Sequence, residues 1–189
     1  MGFKIPSVVS IAGSDSSGGA GIQADLKTIE ALGLFAQTAI TALTAQNTRG
    51  VSGVLDVPSE FVVQQIDAVF EDIRPGAVKI GMVSSALNVV AIAESLRAHA
   101  AENIVVDPVM VSTSGSRLIS DGASEALTGR LFPLASVITP NIPEAEVLWG
   151  RGIATKRDME AAAGELSERF GVAVLVKGGQ ASSRSEARR

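Results

Sequence analysis

The stretch that decides the fold is residues 7–33, SVVSIAGSDSSGGAGIQADLKTIEALG. Its first six residues are apolar or small and predict a buried strand, and the glycine- and serine-rich middle predicts a loop. Residues 19–33 predict a helix, because one face carries apolar residues at helical spacing, namely Ile22, Leu26, Ile29 and Leu32. A strand that leads through a glycine loop into a helix is typical of the first half of a βαβ unit.

The same alternation of apolar runs and amphipathic segments continues along the chain. Further strands are predicted at 38–45, 51–57, 77–80, 104–106, 135–139 and 172–176. The helices between them are predicted near Ser59 as an N-cap, over 121–130, at Pro143 and after a Thr155–Asp158 capping box. The segment after the strand at 77–80 predicts another helix, with Val89, Ile92, Ala93 and Leu96 on one face. The pattern indicates an α/β fold with a mostly parallel central sheet and helices on both faces.

Composition narrows the class of protein. The chain has 189 residues, 46% of them hydrophobic, a net charge of −4, one histidine and no cysteine. These values predict one domain over 1–179, exclude disulfides, a thiolate metal site and a cysteine nucleophile, and argue against a nucleic-acid partner. No apolar run is long enough to span a membrane, so we expect a cytoplasmic protein with a small-molecule ligand. Residues 180–189 have no large apolar side chain and predict a disordered tail.

Ligands of open parallel sheets bind beyond the carboxyl ends of the strands, where this sequence places polar residues. The glycine loop after the first strand could offer backbone amides to an anion. Asp25 falls within the apolar arc of its helix, so it is either paired inside the protein or turned towards solvent at the helix N-terminus; both interpretations stay open.

Further polar residues follow the later strands. Gln46 could read the edge of an amino-substituted heterocycle, although surface glutamines are common. Asn141 and Glu144, as Asn-x-x-Glu, could present an amide to phosphate and a carboxylate to hydrated Mg²⁺, with Asp107 as a second acid. Lys177 could place its charge on a phosphate, or could be an ordinary solvated lysine.

Six motifs in one order then identify a resemblance. They are AGSDSSGGAGIQADLKT at 12–28, TALTAQNTRGV at 41–51, KIGMV at 79–83, VDPVM at 106–110, ITPNIPEA at 138–145 and VKGG at 176–179. Together they resemble the hydroxymethylpyrimidine/phosphomethylpyrimidine kinases of thiamine biosynthesis, a ribokinase-like family, over residues 5–179. The resemblance implies a three-layer fold and ATP- and Mg²⁺-dependent phosphorylation of a hydroxymethylpyrimidine and its monophosphate by a homodimer.

The resemblance also implies roles for individual residues. Gly13, Asp25, Gln46, Met82 and Val109 would surround the pyrimidine. Asn141 and Lys177 would contact the phosphates of ATP, and Glu144 and Asp107 would serve the metal ion.

One departure from the family pattern stands out. Family members continue past the Lys-Gly-Gly strand to a Gly-Thr-Gly-Cys motif that carries the catalytic base, whereas here residues 180–189 read QASSRSEARR. We therefore expect a C-terminally truncated domain of doubtful activity and assign no catalytic residue.

Three alternative functions remain open. The chain could be an inactive pyrimidine-binding module, a pyridoxal-type vitamin kinase, or, from the weak Gly-x-Gly-like fingerprint at 19–24, a nicotinamide-dependent dehydrogenase.

Overall fold

The strand β1, Ser7–Ala12, lies inside the sheet, as its uninterrupted small and apolar residues predict. A computed structural model describes residues 6–110 and 121–178. Along the chain the elements are β1, α1 (Gly21–Ala31), β2 (Phe35–Ile40), β3 (Ala42–Asn47), β4 (Gly50–Asp56), α2 (Ser59–Glu71), β5 (Ala77–Ile80), α3 (Ala86–Ala98), β6 (Ile104–Val106), α4 (Asp121–Ala126), β7 (Val137–Ile138), α5 (Ile142–Trp149), α6 (Lys156–Phe170) and β8 (Ala173–Val174).

Six of these strands form one sheet in the order β2-β1-β5-β6-β7-β8, and every neighbouring pair is parallel. The strands β3 and β4 form a separate antiparallel hairpin. The expected fold class is confirmed, since a mostly parallel central sheet is surrounded by helices. No helix among the described residues is long and apolar enough to cross a membrane.

The two faces of the sheet have different chemistry near β1. Val9 and Ile11 are fully buried in the main core with apolar residues of α2 and α3. Ser10 alternates with them and so points to the opposite face, where its hydroxyl contacts Asp25 of α1. The helices therefore lie on both faces of the sheet.

The predicted single strand at 38–45 is wrong, because the chain changes partners at Thr41. The Thr41 N–H donates to Ala12 O on the sheet side, while the Thr41 carbonyl accepts from Val57 N–H at the base of the hairpin. One extended run in the sequence therefore becomes two strands, β2 in the parallel sheet and β3 in the hairpin. The predicted strand at 51–57 is β4, which pairs only with β3 in the described part of the chain.

The ends of several helices also differ from the prediction. Leu32 is 71% exposed, because α1 ends at Ala31 and the chain turns away at Gly33 with φ +76°. Ser59 is the first helical residue and Pro58 the N-cap, so the hydroxyl makes no cap hydrogen bond.

Other boundaries agree or are shorter than expected. The capping box of Thr155 and Asp158 at the start of α6 is confirmed. The predicted helix at 121–130 is α-helical only to Ala126 and continues as a π-helical turn, and the last two strands are shorter than predicted. The predicted tail at 180–189 lies outside the described residues.

Candidate active site

Because the strands of the sheet are parallel, their carboxyl ends lie along one edge. Loop 13–20 follows β1, Gly81 and Met82 follow β5, Asp107 follows β6, and Asn141 comes shortly after β7. The β3–β4 hairpin continues from the carboxyl end of β2. This edge therefore gathers the positions that the sequence predicts as a site.

Asp15 fills the centre of the glycine loop. It is 3% exposed and accepts hydrogen bonds from the backbone N–H groups of Ser17, Gly19 and Ala20 and from the Ser17 hydroxyl. Burial alone would raise the pKa of Asp15, but these hydrogen bonds outweigh burial and hold that pKa below its ordinary value.

This arrangement corrects the interpretation of the loop as an anion site. The amides of residues 17, 19 and 20 are bound to the loop's own carboxylate and are not offered to a ligand. The dinucleotide fingerprint at 19–24 begins with Gly19 and Ala20, and the N–H groups of both residues are bound to Asp15 rather than open to a cofactor. An aspartate followed by a serine two residues later is the local signal that sequence reasoning missed.

Gly13 and Met82, both predicted to line the substrate, lie against each other. A Cβ atom on Gly13 would come 2.5 Å from Met82 Cε, so a larger residue here would require the methionine side chain to move. Gly21 has φ +54°, and the next N–H, of Ile22, donates to Gly13 O at 3.0 Å. The two glycines together let the loop fold back against the start of α1.

Gln46 is held in place through its backbone. The Ser16 hydroxyl donates to Gln46 O at 2.7 Å and accepts from Gln46 N–H at 2.8 Å. Thr44, two residues earlier, donates through its hydroxyl to Ser14 O at 2.7 Å. The half-buried Gln46 side chain has its oxygen 3.3 Å from the Thr44 hydroxyl, and its Nε2 has no partner within residues 6–110 and 121–178. These contacts attach the hairpin to the glycine loop.

Asp25 points into the protein, which decides between its two interpretations. Its Oδ2 accepts from the Ser10 hydroxyl at 2.5 Å and from Lys79 Nζ at 2.6 Å. A carboxylate within the apolar arc of a helix is thus compensated by a lysine from the neighbouring sheet. The sequence predicts Lys79 only as a strand residue, and nothing in the residues around it indicates that Asp25 is its partner.

Asn141 and Glu144 form a capping box at the start of α5. The Asn141 side chain accepts from Glu144 N–H at 2.9 Å, and Glu144 Oε2 accepts from Asn141 N–H at 2.9 Å. Pro143 occupies the second helical position, where the backbone N–H that proline lacks is not needed for a hydrogen bond within the helix. Gly150 ends the helix with φ +80°. The Asn-x-x-Glu motif is therefore first of all a helix start.

The burial of Glu144 distinguishes it from an ordinary capping residue. Glu144 is 2% exposed, and its Oε1 lies 3.4 Å from Met110 N–H. Burial raises the pKa of Glu144, and the nearby Asp107 carboxylate acts in the same direction, against the hydrogen bond from Asn141 N–H and the charge of Lys177. The structure thus keeps a buried acid at the strand edge with no cation in direct contact among the described residues.

Lys177 and Asp107 form an ion pair beside this acid. Lys177 Nζ lies 2.7 Å from Asp107 Oδ1, with the lysine side chain 41% exposed. Lys177 N–H donates to Pro140 O at 2.8 Å, and the backbone of Lys177 bridges to Asn141. Lys177 is therefore a paired lysine at the site. The Val109 N–H donates to the backbone carbonyl of Asp107, two residues earlier.

The two acids suit a magnesium ion that is shared with phosphate. Mg²⁺ is commonly bound through one or two carboxylates, phosphate oxygens and water. Asp107 and Glu144 provide two carboxylates, and the described residues hold no group of three or more His, Cys, Asp or Glu that could hold a metal alone. The two carboxylates are donors of the kind that Mg²⁺ accepts together with water and other oxygen ligands.

The structure brings four of the predicted residues together, whereas the others have separate partners. Asp107, Asn141, Glu144 and Lys177 are joined by direct contacts or charge, and Gly13 lies against Met82. Asp25 and Gln46 have their own separate partners. Two open depressions, of about 610 Å³ beside Pro143 and Arg151 and about 280 Å³ beside Ser59 and Leu87, are not lined by any of the predicted residues.

Known proteins are similar to this chain over most of its length. The family model for phosphomethylpyrimidine kinase matches residues 15–188. A hydroxymethylpyrimidine/phosphomethylpyrimidine kinase from Rhizobium meliloti is 55% identical over 172 residues, which is 90% of this chain and 64% of that protein. The chain spans 36% to 65% of the lengths of four curated relatives.

Solved structures show the same fold. A crystal structure of phosphomethylpyrimidine kinase from Clostridium difficile matches with a TM-score of 0.85 and 50% identity, over 93% of this chain and 76% of that one. A pyridoxal kinase from Staphylococcus aureus in complex with pyridoxal matches with a TM-score of 0.81 and 35% identity, over 94% and 64%.

Proposed function

The chain belongs to the phosphomethylpyrimidine kinase family, and from that premise we propose that the protein uses ATP to phosphorylate 4-amino-5-hydroxymethyl-2-methylpyrimidine and then its monophosphate. This activity would serve thiamine biosynthesis. The observation that carries the proposal is the buried Glu144 carboxylate, held by Asn141 at the strand edge beside the Asp107–Lys177 pair.

Phosphoryl transfer needs alignment and charge stabilisation more than covalent chemistry, and one group of residues can supply both. We assign Asn141 and Lys177 to the phosphates of ATP, and Glu144 and Asp107 to Mg²⁺. When bound, the ion supplies neutralisation of the charge on the phosphate oxygens. Lys177 is already orientated by Asp107, and Glu144 is orientated by two backbone N–H groups.

The remaining predicted residues would bind the pyrimidine. The Gln46 amide offers a donor and an acceptor in one plane, which matches an aminopyrimidine edge. Asp25 supplies a carboxylate oxygen, and Gly13, Met82 and Val109 would form the walls. We assign no catalytic base within the part of the chain that the structure describes.

Calorimetry and a phosphorylation assay test this function in one series. We expect the chain to bind the hydroxymethylpyrimidine, and we expect Gln46→Leu to weaken binding about tenfold because a buried hydrogen bond to a polar ligand is lost. Gln64→Leu, at an exposed position of α2, is the matched control and should bind normally. Absence of pyrimidine binding by the unsubstituted chain would overturn the proposal.

Pyridoxal phosphorylation is the second candidate, because solved pyridoxal kinases share the fold at 35% identity. Tighter binding and faster phosphorylation of pyridoxal than of the pyrimidine would favour it. Pyrimidine binding without phosphate transfer would instead favour an inactive binding module.

We also propose a homodimer that pairs through the outer face of the β3–β4 hairpin. Leu43 and Leu55 are register partners on that face and are 47% and 66% exposed. Light scattering of the chain and of Leu55→Ser tests it, with a shift to monomer expected for the variant. The cytoplasmic location stays a prediction of the sequence.

A further inference from the structure

We propose that Lys79 is a positioning residue for the pyrimidine, which acts by holding Asp25 so that one carboxylate oxygen stays available to the ligand. This inference rests on the proposed function, because the ligand is the aminopyrimidine of that proposal. Nothing in the motifs of the sequence assigns Lys79 a role.

The two carboxylate oxygens of Asp25 differ in their hydrogen bonds. Oδ2 receives both donors, the Ser10 hydroxyl at 2.5 Å and Lys79 Nζ at 2.6 Å. Oδ1 accepts no hydrogen bond from the residues the structure describes, and it is not a buried orphan. Within the described residues, Asp25 therefore keeps one acceptor that is open to an N–H or O–H donor of a ligand.

The supports of Asp25 belong to rigid elements. Ser10 of β1 and Lys79 of β5 are register partners in the parallel sheet, so their side chains leave the same face, against α1. Ser10 is fully buried, and the side chains of Lys79 and Asp25 are 27% and 20% exposed. Side chains fixed by neighbouring strands hold a binding group more accurately than loop residues do.

Gly81 makes room for this contact. A Cβ atom there would lie 2.8 Å from Lys79 Nζ and 2.9 Å from Ala12 Cβ. A methyl group at this position would push the ammonium group away, because Ala12 blocks the other side. Gly81 therefore gives a second way to disturb Lys79 without removing it.

The charge balance explains why a lysine is used. A partly buried carboxylate without a partner is costly, and Lys79 compensates that charge before any ligand arrives. A neutral heterocycle can then bind Asp25 Oδ1 without bringing a counter-charge into the site. The chemical class that fits is an uncharged ring with an exposed amino or hydroxyl donor.

A double-mutant cycle tests the proposal, with calorimetric affinity for 4-amino-5-hydroxymethyl-2-methylpyrimidine as the readout. We expect Lys79→Met to weaken binding about tenfold, as for the loss of one charge-assisted support. In an Asp25→Asn background Lys79→Met should have no further effect, because Lys79 acts through that carboxylate. Lys156→Met, an exposed lysine on α6 with its side chain 88% exposed, is the matched control and should bind like the parent.

Thermal unfolding measured on the same proteins separates positioning from stability. A structural role alone would lower the melting temperature in both backgrounds and leave affinity unchanged or reduce it equally in both. Equal losses in both backgrounds, or unaltered affinity of Lys79→Met, would overturn the proposal. If Lys79→Met fails to fold, Gly81→Ala and Ser10→Ala take its place in the same cycle, with the same expectation.

The failure of this inference differs from the failure of the proposed function. If the parent chain does not bind the pyrimidine, the proposed function is wrong and the inference falls with it. If the parent binds and the Lys79 variant binds equally well, only the role of Lys79 is wrong.

Discussion

Two capping boxes in this protein have the same local hydrogen bonds, but the pKa values of their acidic residues are shifted in opposite directions. Asn141 with Glu144 begins α5, and Thr155 with Asp158 begins α6, each with reciprocal side-chain and backbone hydrogen bonds. Yet the pKa of Glu144 is raised above its ordinary value, and that of Asp158 is lowered.

The difference comes from surroundings that lie far away in the sequence. Burial raises the pKa of Glu144, with Asp107 adding to the effect, whereas hydrogen bonds from Thr155 and Ala154 determine the direction at Asp158. Satisfying a helix N-terminus needs only the local motif. A box becomes a candidate cation site only where the fold buries its acid beside a second carboxylate.

The largest expected effect is on phosphoryl transfer. Glu144→Gln should reduce kcat/KM for pyrimidine phosphorylation by about 100-fold, because a carboxylate at the phosphates is replaced by a neutral amide. Asp158→Asn, the same kind of change in the other box, should leave kcat/KM unchanged. The comparison fails if the two variants lose activity equally, as measured by a coupled ATP assay.

The next effect is on stability, where the two boxes should behave alike. Asn141→Ala and Thr155→Ala should each lower the free energy of unfolding by about 1 kcal/mol, since each removes an N-cap acceptor. Urea unfolding measures both. A loss for only one of them would show that the boxes differ in their local role as well.

A smaller effect is the pH dependence of stability, and its sign should differ between the boxes. The native state binds the Glu144 proton more tightly than the unfolded chain does, so the contribution of Glu144 to stability is fully present at low pH. That contribution is lost as pH rises through the raised pKa.

The contribution of Asp158 is present above the ordinary pKa of 3.8 and is lost as pH falls through its lowered pKa. Urea unfolding from about pH 3 to about pH 8, with Glu144→Gln and Asp158→Asn as references, measures both trends. Curves that change in the same direction would contradict the assignment.

The smallest effect is a shift of the Glu144 transition itself. Asp107→Asn removes a neighbouring negative charge that raises the pKa of Glu144, so the transition should move to lower pH. The same unfolding series, repeated in the Asp107→Asn background, reads out the shift. An unchanged or raised midpoint would contradict the assignment of the Asp107 carboxylate as a charge that raises the pKa of Glu144.

Local signals predicted much of the fold. The strand at 7–12, the helix face of Val89, Ile92 and Leu96, and the capping box at Thr155 agree with the structure. The prediction was wrong at Thr41, where an unbroken β-forming run passes from the parallel sheet to the hairpin. Periodicity describes which residues are extended, but it holds no information on which strand becomes the partner.

The candidate site also has residues that the sequence predicted correctly and residues that it missed. Asn141 and Glu144 are a contiguous motif, so their spacing alone indicates a helix start with an acid. The Asp15 carboxylate inside its own loop was missed, because the glycine pattern suggested amides open to a ligand.

By itself, the sequence determined the alternation of strands and helices, the capping box at Thr155, and the polar residues at the carboxyl ends of the strands, because these depend on neighbours within a few residues. Only the tertiary structure decided that Asp25 is paired with Lys79 and that Lys177 is paired with Asp107. It also decided that Glu144 is buried while Asp158 is only partly so. The physical reason is that charge pairing and desolvation act through space, between groups that the order of the strands in the sheet brings together.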